Sequence, residues 1–496
     1  MKFILALDQG TTSSRALIID QEGNILGKAQ KEFRQIFPKP GWVEHNPLDI
    51  WATQASVMTE AMAHSRVSLR DICGIGITNQ RETTIVWDKK TSQPICNAIV
   101  WQDRRTTAIC KALKKEGLEP LFQKKTGLLL DPYFSGTKLR WILDNVEGAR
   151  EKAEKGELAF GTVDSWLVWK MTEGAKHITD ATNASRTLLY NIHEGKWDEE
   201  LLKILEIPCE MLPDVHPSSG VYGECSQDIC SVSIPISGMA GDQQAALFGQ
   251  SCFDKGMGKV TYGTGSFILM NTGNEAADSK DHLLTTIAYQ INEDVTYALE
   301  GSVFIGGAAV QWLRDGLKLI SNSWDIEPLA SKVSSSEGLV FVPSLTGLAA
   351  PHWDPHATGM LMGITRGTTD AHIARATLEG IALQVTDIIK LMKQHVGIKE
   401  LRVDGGAVEN NLLIQMQSDF TDLPLIRPKW KEVTALGAAF LAGLGVGYWK
   451  DREEVRKLWE EETRFTSLLS KQEREKKLGQ WDHAIACTKL WGKYED

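Results

Sequence analysis

The chain contains no Gly-x-x-x-x-Gly-Lys-Ser/Thr loop and none of the catalytic-loop and metal-binding signatures of the protein kinases. If it handles ATP, it does so with hairpins rather than a P-loop. No apolar run approaches the length of a membrane span, and Asp8 breaks the first apolar stretch too early for a secretory signal. These absences predict a cytoplasmic protein. Positive charge is in deficit: 54 Lys and Arg against 64 Asp and Glu leave a net charge of −10, which argues against nucleic acid as the main partner. A phosphorylated ligand remains open, since it needs only a local positive site. The eight cysteines, Cys73, Cys96, Cys110, Cys209, Cys225, Cys230, Cys252 and Cys487, form no zinc-type pairs. Reduced thiols are expected, with neither a metal nor a redox role for the nearest pair, Cys225 and Cys230.

The most informative segment is Asp8-Gln9-Gly10-Thr11-Thr12-Ser13-Ser14-Arg15, set between the apolar runs Phe3–Leu7 and Ala16–Ile19. It reads as a tight hairpin whose backbone N–H groups and hydroxyls can wrap phosphate oxygens. Arg15 can add charge, and Asp8 can hold a divalent metal through water. A shorter echo lies downstream in Tyr262-Gly263-Thr264-Gly265-Ser266-Phe267. Either turn alone is an ordinary Gly/Thr/Ser hairpin. The pair suggests two related domains gripping a polyphosphate.

A chain of 496 residues is too long for one core. Strand and helix signals alternate in both halves, predicting an α/β protein, with the boundary near residues 245–255. Asn46 and Pro47 open a helix that runs to about His64, and Ile72–Thr78 reads as a buried strand ending in Asn79-Gln80-Arg81-Glu82. Thr84–Asp88 and Asn97–Trp101 read as a hairpin, and Asp103–Lys115 as a helix closed by Gly117. Asp370 is expected to cap a long amphipathic helix. Leu401–Val403 predicts a strand, Asn410 opens another helix, and the Ala/Gly-rich Thr434–Leu444 suits a helix packed closely on a neighbour.

Three constellations could carry chemistry. Asp242, after the strand Ile234–Gly238, is placed to act as a general base toward an attacking alcohol. Arg81 and Glu82 can donate to and accept from polyol hydroxyls, and Trp101 and Tyr133 offer aromatic faces for its C–H surface. The glycines of Asp404-Gly405-Gly406-Ala407 allow close approach to a flat ligand, ahead of an open helix N-terminus. Singly, these read equally well as a surface turn, an ion pair, a core tryptophan and a loop.

Tyr133-Phe134-Ser135-Gly136-Thr137-Lys138-Leu139-Arg140-Trp141 resembles the first signature of the FGGY carbohydrate kinases, of the actin/hexokinase/Hsp70 superfamily. Gly359–Ile364 through His372 to Glu379 resembles the second. Pro38–His45, Gly76–Thr84 and Ala240–Gly249 are similar to segments of those members that act on glycerol. The resemblance implies two actin-like (ribonuclease H-like) ATPase domains, residues 1–250 and 251–496, with the active site in the cleft between them. It implies phosphorylation of glycerol by ATP to sn-glycerol 3-phosphate. By that carry-over, Arg81, Glu82, Tyr133, Asp242 and Gln243 bind glycerol, Trp101 and Phe267 flank its carbons, and Asp242 is the base. Thr11, Thr12, Ser13, Arg15 and Thr264 meet the nucleotide phosphates. Gly307, Gln311, Gly406 and Asn410 line the adenosine site, and Asp8 orients Mg²⁺ through water. Family members often form homodimers or homotetramers. Some are inhibited by fructose 1,6-bisphosphate through a loop that here, in Gly223–Val232, has no Arg or Lys. A sister kinase for xylulose, gluconate or erythritol, and a nucleotide-switched binding protein, are the competing readings.

Overall fold

In the computed structural model, which describes residues 1–278, 283–348, 350–354 and 356–493, the first apolar run forms the strand Phe3–Gln9. Phe3 to Leu7 are buried throughout rather than alternately, as a strand covered on both faces requires. The chain turns at Gly10, whose N–H donates to Ser13 O at 2.9 Å, and returns antiparallel as Ser13–Ile19. A second turn through Gly23, at φ 82°, leads into Ile25–Glu32. On the other flank Ile72–Asn79 pairs in parallel with Phe3–Gln9, and Ile234–Gly241 pairs in parallel with Ile72–Asn79.

The second half repeats this pattern. Met257–Tyr262 takes the central place, with Ser266–Gly273 antiparallel on one side and Glu400–Asp404 parallel on the other. Asp294–Val303 extends the hairpin side and Leu425–Pro428 the parallel side. Parallel neighbours need crossovers, and the helices Pro47–Ser65 and Asp370–His395 lie in the corresponding connections. The half-sheets meet at Ser219 of Ser219–Cys225 and Ile291 of Leu284–Ile291, which makes one order of 13 strands. The α/β expectation is met: the fold is two-domain, mixed α/β, with a large central sheet.

Two helices pack across the middle, Asp242–Gly249 and Val433–Gly445. Their approach depends on two glycines. A Cβ on Gly437 would stand 1.8 Å from Ala245 O, and one on Gly249 would stand 2.0 Å from Val433 O. The Ala/Gly richness of this late helix is therefore a packing requirement, as its composition suggests.

Asn46 and Asn410 cap their helices as expected, accepting from Leu48 N at 3.0 Å and Leu413 N at 2.8 Å. One local expectation is qualified and two are corrected. The hairpin of Thr84–Asp88 is present but irregular: Thr84, Val86 and Asp88 bond to Ile99, Ile95 and Gln93, while Ile85–Asp88 also pairs with Leu158–Gly161 and Ala98–Ile99 with Glu44–His45. Pro94, which has no N–H to donate, interrupts the regular ladder. The helix expected from Asp103 begins at Thr107. Asp103 is held outside it, accepting from Val43 N at 2.7 Å and Arg105 Nη2 at 2.8 Å. Asp370 is the first residue of its helix, and Thr369 is the cap, in a reciprocal box with His372.

No helix among the described residues is long and apolar enough to cross a membrane. The eight cysteines are free thiols, and the Sγ atoms of Cys225 and Cys230 lie 2.7 Å apart.

Candidate functional site

Adjacent parallel strands open a crevice beyond their carboxyl ends, and the chemistry-bearing residues collect there. Register pairs Gln9 with Asn79 and Asn79 with Gly241. Asp8, Arg81 and Asp242 therefore emerge side by side from three neighbouring strands.

Arg81 leaves its strand through a tight turn. Thr83 N donates to Arg81 O at 2.7 Å across Glu82, whose φ is 61°. This is a three-residue turn in the rare, strained positive-φ form. It is fixed from outside by Ser135 Oγ, which donates to Glu82 O at 3.0 Å. The turn points two charged side chains inward where a relaxed strand would alternate them.

The Arg81 guanidinium reaches several partners. It donates from Nη1 and Nη2 to the two oxygens of Glu300 at 2.6 and 3.0 Å, and from Nη2 to Tyr133 Oη at 3.3 Å. Its Nε lies 3.4 Å from Asp242 Oδ1 and 3.8 Å from Glu82 Oε1. Arg186 completes the cluster, donating to Glu82 Oε1 at 2.6 Å and Glu300 Oε1 at 2.9 Å. The Arg186 Nη1 is buried without a protein partner. Burial opposes the charge on Glu300, but Arg186 and Arg81 outweigh it and hold the carboxyl down at about 2. Burial raises Glu82 against the pull of Arg81 and Arg186, and Asp242 against that of Arg81 and the buried Lys259. Asp242 opens the helix Asp242–Gly249 and accepts from Gln243 N at 2.7 Å; a carboxylate is favoured at that end of a helix.

Aromatic rings wall this polar cluster. Trp101 lies 5.7 Å from Tyr133 and 6.4 Å from Phe267, centroid to centroid, with the rings edge-on. Phe267 comes from the second hairpin, so the wall spans both halves. Trp101 Nε1 also donates to Thr11 Oγ1 at 2.9 Å, which joins the polar cluster to the first hairpin.

On the phosphate side, Thr12, Gly263 and Thr264 are exposed at the hairpin tips. Ser13 Oγ accepts from Gln30 Nε2 at 3.0 Å. Arg15 is bonded to Glu432 at the head of Val433–Gly445 and lies 3.7 Å from Asp8. Burial pushes Asp8 up to about 6, with Arg15 opposing and Asp242 and Glu432 adding to it. Among the described residues no group of three His, Cys, Asp or Glu could enclose a metal ion. A single carboxylate such as Asp8 suits a hard, water-rich cation held mainly by other oxygens.

The residues expected at the adenosine follow two strands, Gly307 and Gln311 after Asp294–Val303 and Gly406 and Asn410 after Glu400–Asp404. Gly307 N and Ala308 N donate to Gly263 O and Thr264 O at 2.9 and 3.0 Å, which seats the helix Gly307–Asp315, and with it Gln311, on the turn. Those N–H groups are therefore spent on the hairpin and do not face an anion. Gly405, at φ 95°, lies against the Tyr262 carbonyl, where a Cβ would come within 2.4 Å. Gly406 is exposed, with open space where a side chain would be. Asn410 spends its side-chain oxygen on its helix cap.

Four members of the site escaped the sequence reading: Arg186, Lys259, Glu300 and Glu432. Glu300 left one legible signal, a lone acid in the apolar run Tyr297-Ala298-Leu299-Glu300-Gly301-Ser302-Val303, which implies a buried partner. Lys259 is a comparable case, in Met257–Tyr262. Arg186 and Glu432 sit in unremarkable contexts.

Residues 3–249 match the N-terminal domain of the FGGY family of carbohydrate kinases, and residues 258–446 match its C-terminal domain. The chain is 58% identical over 495 residues to glycerol kinase 2 of Thermotoga maritima, covering 99% of this chain and 100% of that one. It is also 58% identical to the glycerol kinase of Trichlorobacter lovleyi, with the same coverage. Among solved structures it resembles Plasmodium falciparum glycerol kinase with ADP, at 37% identity and a TM-score of 0.93 over 98% of each chain. A xylulose kinase from Lactobacillus acidophilus shares the fold at 22% identity and a TM-score of 0.89, covering 98% of each chain.

Proposed function

The chain belongs to the FGGY family of carbohydrate kinases, and from that premise we propose that it is an ATP:glycerol 3-phosphotransferase. The γ-phosphoryl group of ATP passes to the 3-hydroxyl of glycerol, giving sn-glycerol 3-phosphate and ADP. The observation that carries the reading is the small polar cluster of Arg81, Glu82, Tyr133 and Asp242, walled by Trp101 and Phe267. It offers donors and acceptors for a triol and an apolar face for its carbons.

Asp242 accepts the proton as the hydroxyl attacks. Burial favours its protonated form and Arg81 its ionised form, so it is tuned between holding and releasing a proton. Arg81 and Glu82, immobilised by Glu300 and Arg186, fix the other hydroxyls. Phosphoryl transfer depends mainly on alignment and charge neutralisation. Thr11, Thr12, Ser13 and Thr264 supply hydroxyls and backbone donors around the phosphates, and Arg15 supplies charge once it exchanges Glu432 for a phosphate oxygen. Gly307, Gln311, Gly406 and Asn410 line the adenosine. Asp8 would hold Mg²⁺ through water, and the ion, when bound, neutralises phosphate charge. Residues 1–250 form the domain with the first hairpin and the acceptor groups, and 251–496 the domain with the second hairpin and the adenosine site. A homodimer or homotetramer in the cytoplasm completes the proposal.

An ADP-release assay with Mg-ATP against glycerol, dihydroxyacetone, erythritol, xylulose and gluconate tests it. Turnover with glycerol above the others is the expected result. Turnover only with a larger sugar moves the function to a sister kinase. ATP binding without turnover on any acceptor overturns it.

A further inference from the structure

Lys259 lies away from both hairpin tips and makes none of the acceptor contacts, yet it is fully buried in the strand Met257–Tyr262. Its ammonium donates to Gln243 Oε1 and, at 2.6 Å, to Thr261 Oγ1. Thr261 in turn donates to Asp404 Oδ1 at 2.5 Å, as the register pairing Thr261 with Asp404 demands. The second Asp404 oxygen accepts from Gln250 Nε2 at 2.9 Å. One end of this buried chain thus grips the residue beside Asp242, and the other ends at the strand terminus that leads into Gly405 and Gly406.

We propose that Lys259 is a positioning residue for the proton-accepting step, and that Thr261 and Asp404 anchor it. The inference rests on the reading of Asp242 as the base. Gln243 is the second residue of the helix that Asp242 opens, and its own N–H binds the Asp242 carboxylate. Gripping its side chain fixes the first turn of that helix, and with it the direction in which the Asp242 oxygen points.

The charge matters separately. Burying an ammonium is unfavourable, and an apolar residue of similar length would fill the same space at less cost. Packing alone does not explain a lysine here. Burial lowers Lys259, whereas Asp404 and Asp242 favour its charged form, and Arg81 opposes it. The groups facing Asp242 are Arg81 and Lys259, which favour its carboxylate, and Glu300, which disfavours it; Asp8 is a further neighbouring acid. Lys259 is the second cation of this set and the one that does not itself meet the acceptor.

The test is Lys259→Met in the full chain, assayed with glycerol and Mg-ATP beside the parent protein. If the parent does not turn over glycerol, the proposed function fails and the inference falls with it. If it does, Lys259→Met is expected to lower kcat about tenfold to a hundredfold, the scale of a misplaced catalytic group. The acid limb of kcat/KM for glycerol should move upward by about one pH unit, because a cation has left the neighbourhood of a carboxylate. In an Asp242→Asn background the same substitution should change the residual rate less than about threefold, since residues acting as a unit are not additive. An unmoved acid limb, or a full multiplicative loss on top of Asp242→Asn, overturns the proposal. Should Lys259→Met fail to fold, Thr261→Val decides. A several-fold drop in kcat with an unchanged KM for ATP upholds the anchor, and parent-like kinetics refute it.

Discussion

Arg81 Nη1 lies 2.6 Å from Glu300 Oε2, so the guanidinium at the centre of the polar cluster is held by a carboxylate from the other half of the molecule. Arg186 grips the same carboxylate at 2.9 Å. The proposed acceptor site is thus built across the two halves, although most of its residues come from the first. Glu300→Gln keeps the shape and removes the charge. It should raise the KM for glycerol about tenfold or more while leaving that for ATP within a few-fold, because breaking a buried pair typically costs about 3–5 kcal/mol. The stability difference between parent and variant has a defined pH dependence. Glu300 is depressed from 4.5 to about 2 in the folded protein. Its contribution is therefore complete above the unfolded value and is lost as pH falls toward the folded one. Denaturation curves should diverge most above about pH 5 and converge toward pH 2.

Asp242→Asn should lower kcat by about 10²–10⁴, the range for a lost general base, with glycerol binding changed much less. Steady-state kinetics together with direct glycerol binding would check this. A near-normal kcat would remove Asp242 from the role.

Arg81→Ala should raise the KM for glycerol more than the KM for ATP. Arg81 touches Tyr133, Glu300 and Asp242 but neither hairpin tip. Equal effects on both substrates in the kinetic assay would make the residue structural.

Asp8→Asn should abolish most activity and yet stabilise the protein when nucleotide and divalent metal are left out. Burial raises Asp8 from 3.8 to about 6, so above pH 6 the folded chain holds a carboxylate that the unfolded chain accommodates better. The gain in thermal midpoint should be largest near pH 8 and shrink as pH falls through 6 toward 4. A variant less stable than the parent at pH 8 would contradict this.

Fructose 1,6-bisphosphate should inhibit weakly or not at all. The segment Gly223–Val232 has no Arg or Lys, and its Glu224 is bonded to Ser233. Although Lys176 crosses Gly223, the segment itself supplies no counter-charge for a bisphosphate. Competition assays at graded concentrations would reveal any inhibition.

What the sequence disclosed follows the range of the forces involved. Asn46-Pro47 and Asn410 state their helix starts locally, since a cap needs only its own next turn. The glycine-hydroxyl turns and the run Ala240–Gly249 are equally local, and they brought Thr11, Asp242 and Gln243 into view. Glu300 and Lys259 were hidden because they sit in strands whose neighbours look like core. Their partners Arg81 and Gln243 lie 219 and 16 residues away. The second partner of Ile85–Asp88, Leu158–Gly161, went unseen for the same reason: it was remote in sequence, whereas the local hairpin to Ile99 was legible. Asp103 misled because its carboxylate binds Val43 and Arg105 rather than opening a helix.

The two half-sheets touch at Ser219 and Ile291, and Asp294–Val303, which carries Glu300, is the next strand but one from Ser219–Cys225. Among the described residues the backbone ladder joins the halves at that single register pair. The ion pairs of Glu300 with Arg81 and Arg186 are therefore a further fastening between the halves, made of charge rather than of backbone. Losing the Glu300 charge would slacken the join between the halves as well as the cluster itself.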